Sequence, residues 1–168
     1  MVMSTAGRRG YRFSLNYWRK VWLACAVAVT AILPAHAQTP GETVLHSFAP
    51  NPYKGEYPES GVIRDSAGNL YGTASAGGPM GTGLVYKVDA AGIYSVLYAF
   101  TGGIDGRSPF AGVIRDSAGN LYGTASTGNG FVYKLDTALQ ETALYHLSGG
   151  TDGGGPEAGV IRDSAGNL

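Results

Sequence analysis

The sequence predicts an all-β fold: a partial β-propeller-like array of four-stranded antiparallel blades, preceded by a signal-peptide helix. Three observations lead to this prediction. A block of residues at 61–75 returns unchanged at 112–126, and its first part returns again at 159–168. Apolar and polar residues alternate with the period of a β-strand. Glycine supplies 27 of the 168 residues, which suits tight turns better than helices.

The first 37 residues have the order of a secretory signal peptide. They carry basic but no acidic side chains, and an apolar run at 21–33 precedes Pro34 and the small-residue pattern Ala35-His36-Ala37. The alternative is an uncleaved membrane anchor, but this run is shorter than the roughly 20 residues that a spanning helix needs. We therefore expect cleavage after Ala37, a secreted or cell-envelope location, and no membrane span after cleavage.

Charge and cysteine content exclude several classes of function. Five of the 12 basic residues precede Ala37, so seven remain against all 12 acidic ones, a net charge near −5. An acidic chain without a basic run is poorly suited to nucleic acid. Cys25 lies inside the apolar run, so the mature chain has no thiol for disulfides, nucleophilic catalysis or metal binding.

The repeat defines the domain organisation after the signal peptide. The block recurs after 51 residues (61 to 112) and then after 47 (112 to 159), and one loop between residues 75 and 84 accounts for the difference. The region 38–168 thus divides into units at approximately 41–92, 93–140 and 141–168, the last one truncated. A repeat of this length indicates a stacked or circular architecture, because one unit cannot bury its own apolar face.

Each unit contains the pattern of four short strands. Alternation is clear at 94–100 and 84–88, and short apolar runs at 62–63 and 70–71 flank the segment 65–69. That segment, Asp-Ser-Ala-Gly-Asn, predicts a hairpin turn in which Asp caps and Gly takes a positive φ. Four strands in about 50 residues describe a propeller blade, whereas a β-helix has a shorter repeat and a helical solenoid a 3.6-residue period.

These strings resemble a known family. Residues 68–73, Gly-Asn-Leu-Tyr-Gly-Thr, preceded by Asp65 and followed by Gly-Thr-Gly-Leu-Val-Tyr-Lys at 81–87, are similar to the GloVer tandem repeat of exported bacterial proteins. Residues 97–106 and Pro109 also fit. The resemblance covers 41–168 and implies export and a propeller-like array, but the family carries no established activity to transfer. Its members usually have more repeats and often a C-terminal sorting segment.

The number of repeats leads to a further expectation. Residues 41–168 hold fewer than three units, whereas closed propellers use about four to eight blades. The last copy also stops where the earlier ones continue with Tyr-Gly-Thr-Ala-Ser. We therefore expect either a fragment of a longer protein or copies that self-associate through an open blade edge.

The repeated turn aspartates are weak metal-site candidates. Asp65, Asp116 and Asp163 offer carboxylates that suit calcium. Each copy, however, supplies one carboxylate, and the turn explains every residue without an ion. We predict no cofactor and assign no metal or catalytic residue.

Other recurring side chains also have structural explanations. Asp105 and Asp152 lie in glycine-rich loops, and Lys54 replaces them in the first unit. His46 and His146 occupy adjacent alignment positions, which point to opposite strand faces and oppose a shared role. Four tyrosines could line a carbohydrate surface, but strand tyrosines more often pack between sheets: Tyr71, Tyr86, Tyr122 and Tyr133.

Catalytic motifs such as the nucleophile elbow or a phosphate loop are absent from the sequence. The leading hypothesis is a non-enzymatic binding or surface-display module for an unknown protein or glycan, because near-identical copies suit multivalent binding. The first alternative is a propeller-type enzyme, a lactonase or glycan lyase, that is active only with all blades present. The second is a purely structural envelope protein.

Overall fold

The computed structural model describes residues 41–48 and 51–168. The predicted signal peptide, residues 1–37, lies outside the described residues. Residues Val44–Leu168 belong to one unit, which contains two four-stranded sheets. Apart from a 3-10 turn at Pro52–Lys54, the described residues contain no helix. Accordingly, no helix long and apolar enough to cross a membrane occurs among them.

The two sheets have the same construction. The first consists of β1 (Ile63–Arg64), β2 (Leu70–Ala74), β3 (Leu84–Val88) and β4 (Tyr94–Ala99). The second consists of β5 (Ile114–Arg115), β6 (Leu121–Ala125), β7 (Phe131–Leu135) and β8 (Glu141–His146). Neighbouring strands are antiparallel and follow chain order. The predicted all-β fold with four strands per repeat is confirmed.

Both sheets carry the same irregularity between their third and fourth strands. Val85 pairs with Tyr98 but Tyr86 pairs with Val96, which leaves Leu97 as an extra residue in β4. The corresponding shift between Val132 and Tyr133 leaves Leu144 extra in β8. Such a bulge locally increases the twist of a strand. The two sheets therefore share the same distortion although β4 and β8 have only a Leu-Tyr pair in common.

The segment 65–69 forms the predicted turn between β1 and β2. The backbone N–H of Asp65 donates to Asn69 O (3.0 Å), and Gly68 N–H donates to Asp65 O (3.1 Å). Gly68 has a φ of 90°, a conformation that glycine adopts without a Cβ penalty. Asp116 and Asp163 begin turns with the same pair of backbone hydrogen bonds.

The sheets do not coincide with the sequence units. Strand β4 begins at Tyr94, after the predicted unit boundary at 92, yet it completes the first sheet. Strand β8 likewise lies beyond residue 140 and completes the second sheet. Each sheet is therefore completed by residues of the next sequence unit.

The main hydrophobic core lies between the two sheets. Val85 of the first sheet and Phe100, just after β4, share one buried cluster with apolar residues of the second half: Val113, Leu121, Ala125, Phe131, Tyr133 and Leu135. The ring of Phe100 meets that of Tyr133 edge to face at 5.4 Å between centroids. Burial of this shared cluster stabilises both sheets together, at roughly 25 cal/mol for each Å² of apolar surface removed from water.

A smaller core covers the opposite side of the first sheet. It contains Leu84, Tyr86 and Val88, and Phe48 packs against it. The Phe48 ring lies 5.0 Å from that of Tyr86, so Phe48 and Phe100 play matching roles on successive sheets. Residues 44–48 match β4 in sequence, but they form no strand in the structure.

Candidate functional site

The three turn aspartates are occupied by hydrogen bonds inside their own turns. Oδ1 of Asp65 accepts from the backbone N–H groups of Ala67 and Asn69, at 3.0 and 2.9 Å. Its Oδ2 accepts from the Asn69 side chain and from the Tyr71 hydroxyl, at 2.9 and 3.0 Å. The carboxylate of Asp116 accepts equivalent hydrogen bonds from the side chains of Asn120 and Tyr122. The carboxylate of Asp163 accepts hydrogen bonds from the backbone and side chain of Asn167.

These contacts stabilise the ionised carboxylates. The side-chain hydrogen bond from Asn69, supported by those from the backbone and Tyr71, lowers the pKa of Asp65 to about 2. Around Asp116 desolvation is the largest effect and opposes this, but the combined hydrogen bonds still bring its pKa to about 2. In the described part of the chain, no three histidines, cysteines or acids gather as a metal-ion group. The structure thus keeps the three aspartates in separate turns.

The carboxylates of Asp105 and Asp152 also accept hydrogen bonds within their own loops. Asp105 is buried and accepts hydrogen bonds from the Thr101 backbone and the Tyr98 hydroxyl, at 2.8 and 3.0 Å. Asp152 accepts equivalent bonds from Ser148 and Tyr145. In the first unit Lys54 ends the 3-10 turn instead, and its carbonyl accepts from the Tyr94 hydroxyl.

The two histidines pack on different sheets. The His46 ring stacks on Tyr94 with centroids 3.9 Å apart, and burial, followed by repulsion from Lys54, lowers its pKa. The His146 ring lies 5.3 Å from Phe131 in the second sheet.

The tyrosines divide into two pairs. Tyr86 and Tyr133 are buried in the two cores, which is the predicted packing role. Each covers the glycine opposite it, Gly72 or Gly123, so closely that a Cβ there would lie about 2.5 or 2.6 Å from the hydroxyl oxygen. Tyr71 and Tyr122 are only half-buried and reach the surface beside the aspartate turns.

Tyr71 belongs to a groove between the two sheets. The groove has a volume of about 190 Å³, and its walls include three residues of the first sheet and three of the second half: Tyr71, Lys87, Leu97, Arg115, Leu121 and Asp136. The guanidinium carbon of Arg115 lies 5.7 Å from the centre of the Tyr71 ring, within cation–π range. Burial, with the hydrogen bond to Asp65, raises the pKa of Tyr71, so its hydroxyl remains a donor at neutral pH.

The groove was not predicted from the sequence, although a signal for it exists. Lys87 recurs as Lys134, and Arg115 is one of three equivalent arginines, with Arg64 and Arg162. Recurrent cations in an acidic chain are the feature that sequence reasoning overlooked. Their proximity to Tyr71 depends on how neighbouring sheets pack, which no single repeat specifies.

The loop at 77–83, which accounts for the difference in repeat length, has a buried base and an exposed tip. Gly77, Gly78 and Gly83 are buried, whereas the side chain of Met80 is 67% exposed. A Cβ on Gly77 would lie 2.6 Å from the backbone of both Gly55 and Pro52. Only the tip is therefore free to vary in length or sequence.

Sheets of equal construction joined by repeated contacts define a tandem β-repeat protein. The chain belongs to the Gloeobacter/Verrucomicrobia repeat family, whose family model matches residues 29–168. This finding confirms the resemblance seen in the repeated motifs. Searches among curated proteins and among solved structures found no match.

Proposed function

We propose that the chain is an exported, propeller-like array of blades that acts as a non-enzymatic binding module for an extracellular glycan or protein. The observation that carries the proposal is that each sheet contacts the segment after it through equivalent residues. Repeated contacts place equivalent side chains and loops at successive junctions. Equivalent sites favour multivalent binding over catalysis at one asymmetric centre.

The contacts that join successive units occur twice. Thr73 Oγ1 donates to Ala111 O at 2.9 Å, and Thr124 Oγ1 donates to Ala158 O at 3.0 Å. Thr82 O accepts from Ser108 N–H, as Asn129 O accepts from Gly155 N–H, both at 2.7 Å. Residues 155–159 thus contact the second sheet as the segment before β5 contacts the first.

The propeller-like arrangement rests on the first strands of the sheets. A Cβ on Gly112 would lie 2.9 Å from Gly61 O, and one on Gly159 would lie 3.2 Å from Gly112 O. The backbones of successive units therefore approach one another closely just before β1 and β5 begin. Close approach at the first strand of each sheet is what blades around a common axis require.

The non-enzymatic assignment rests on how the acids are used. The turn and loop aspartates each accept hydrogen bonds from their own turn or loop: Asp65, Asp116, Asp163, Asp105 and Asp152. These contacts give the acids a structural role that explains their recurrence. Export rests on the signal-peptide pattern of residues 1–37.

The experiment is a glycan array probed with the purified full chain, together with pull-downs from envelope extracts followed by titration of each purified candidate partner. We expect a glycan or a protein that binds saturably. Absence of any saturable ligand in both formats would refute the binding role. Turnover of lactone or polysaccharide substrates by the same preparation would instead establish the enzymatic alternative.

A further inference from the structure

The groove between the two sheets contains two cationic side chains, those of Lys87 and Arg115. Within residues 41–48 and 51–168, neither the Lys87 ammonium nor the Arg115 guanidinium forms an ion pair. Asp136 also lines the groove, but its Oδ1 accepts from the backbone N–H groups of Ala138 and Gln140, both at 2.9 Å. Two unpaired cations beside an aromatic ring form an anion-binding surface.

Basic side chains such as Lys87 and Arg115 are few in the acidic region after Ala37. Only seven basic residues follow Ala37, against 12 acidic ones. Five of these seven are the recurring lysine and arginine of the repeat: Arg64, Lys87, Arg115, Lys134 and Arg162. An acidic protein that repeats its few cations at equivalent positions concentrates positive charge locally, which favours an anionic ligand at those positions.

We propose that this groove binds the carboxylate-bearing ring of an acidic sugar, a hexuronate unit of a polysaccharide. This inference rests on the proposed binding function and names its ligand class. Lys87 and Arg115 contact the carboxylate, and Arg115 is held for this by stacking on Tyr71. The apolar C–H face of the sugar packs on the partly exposed side chain of Leu97, which lines the same groove.

The remaining groups of the groove fit the hydroxyls of a sugar. Asp136 Oδ2 has no hydrogen-bond donor among the described residues, so it accepts from a sugar hydroxyl. Its negative charge also orients the ligand, because it repels the carboxylate toward the cations. A groove of about 190 Å³ is sized for one ring rather than for a folded partner.

The tyrosine and arginine of the groove recur at the next junction. Tyr122 donates its hydroxyl to Asp116 as Tyr71 does to Asp65. Arg162 acts electrostatically on Tyr122 as Arg115 acts on Tyr71. Equivalent tyrosine and arginine positions at successive junctions suit a polymer that carries repeated charges.

The test is calorimetric titration of the full chain with an oligogalacturonate at low ionic strength. The matched ligand control is the same oligomer fully methyl-esterified, which has no carboxylate. We expect Lys87→Gln and Arg115→Gln each to weaken binding of the oligogalacturonate by about tenfold or more. The ester should bind the wild-type chain at least as weakly as the oligogalacturonate binds these variants. The charge-matched control Arg107→Gln, at an exposed side chain outside the groove, should change affinity by less than about twofold.

Three results would overturn the inference: equal affinity for the ester, equal weakening by Arg107→Gln, or no binding of the oligogalacturonate. Melting curves of the two groove variants establish whether each folds. If one variant does not fold, the other still tests the inference. If the oligogalacturonate fails but the array yields a neutral glycan or a protein ligand, only this inference fails. If the array and the purified partners also fail, the proposed binding function fails with it.

Discussion

The hydroxyl of Thr73 donates a hydrogen bond of 2.9 Å to the carbonyl of Ala111, although 38 residues separate them in the chain. Both residues are buried. Ser60 Oγ lies 2.9 Å from Thr73 Oγ1, and since Thr73 donates its only proton to Ala111, Ser60 donates to Thr73. This chain of hydrogen bonds joins the first sheet to the segment that enters the second.

Thr73→Val should destabilise the protein by about 1–3 kcal/mol, because the isosteric side chain leaves the buried carbonyl of Ala111 without a donor. Urea unfolding followed by circular dichroism measures the change. Thr73→Ser keeps the hydroxyl and should lose clearly less stability. Equal stability of the valine variant and the wild type would show that the bond contributes nothing.

Gly123→Ala should destabilise by about 1–3 kcal/mol, because the new Cβ would lie 2.6 Å from the Tyr133 hydroxyl oxygen and force a shift in the core. The control is Gly61→Ala, since a Cβ there would have no atom within 4 Å. Melting temperatures of the two variants provide the comparison. Equal melting temperatures for both variants and the wild type would contradict the close packing of Tyr133 on Gly123.

The turn between the third and fourth strands contains one strained residue. Leu139 has a φ of 62°, and at the equivalent position the first sheet has Gly92 with a φ of 82°. Leu139→Gly should therefore stabilise by about 1 kcal/mol, and Gly92→Ala should destabilise by a similar amount. Nothing lies within 4 Å of a Cβ on Gly92, so that change adds no steric clash to the backbone effect. Urea unfolding should show a higher unfolding free energy for Leu139→Gly and a lower one for Gly92→Ala. Changes in the same direction would contradict this prediction.

Stability should fall as the pH drops from about 4 toward 2. The folded state lowers the pKa of Asp65 and Asp116 to about 2 from an ordinary value of 3.8. A depressed carboxyl pKa contributes stability above the unfolded-state value, and that contribution is lost as the pH falls through the folded-state value.

Asp116→Asn tests this dependence. The variant should be less stable than wild type at pH 7, and the gap should narrow between pH 4 and pH 2 as the wild-type carboxylate becomes protonated. Ser117→Ala, at an exposed position in the same turn, controls for general disturbance of the turn. Urea midpoints at pH 7, 4 and 2 provide the measurement, and a gap that stays constant with pH would refute the argument.

Local features of the fold were predictable because their causes are local. Alternating polarity places a strand at Tyr94–Ala99, and Asp65 with Gly68 specifies a turn from within five residues. Because the second copy of the block is identical, its turn and register follow from the first. The candidate site was less predictable: the turn role of Asp65 agreed with the sequence argument, whereas the groove beside it did not emerge.

The sequence by itself determined the repeat, its four strands and its aspartate turn, because strand period and turn chemistry act between residues close in the chain. Only the tertiary structure decided that Phe100 completes the core of the following sheet and that Arg115 stacks on Tyr71 of the preceding one. Alternation states that a strand has two faces, but not which neighbour covers each. That choice depends on packing between distant segments, and the groove arises from this packing.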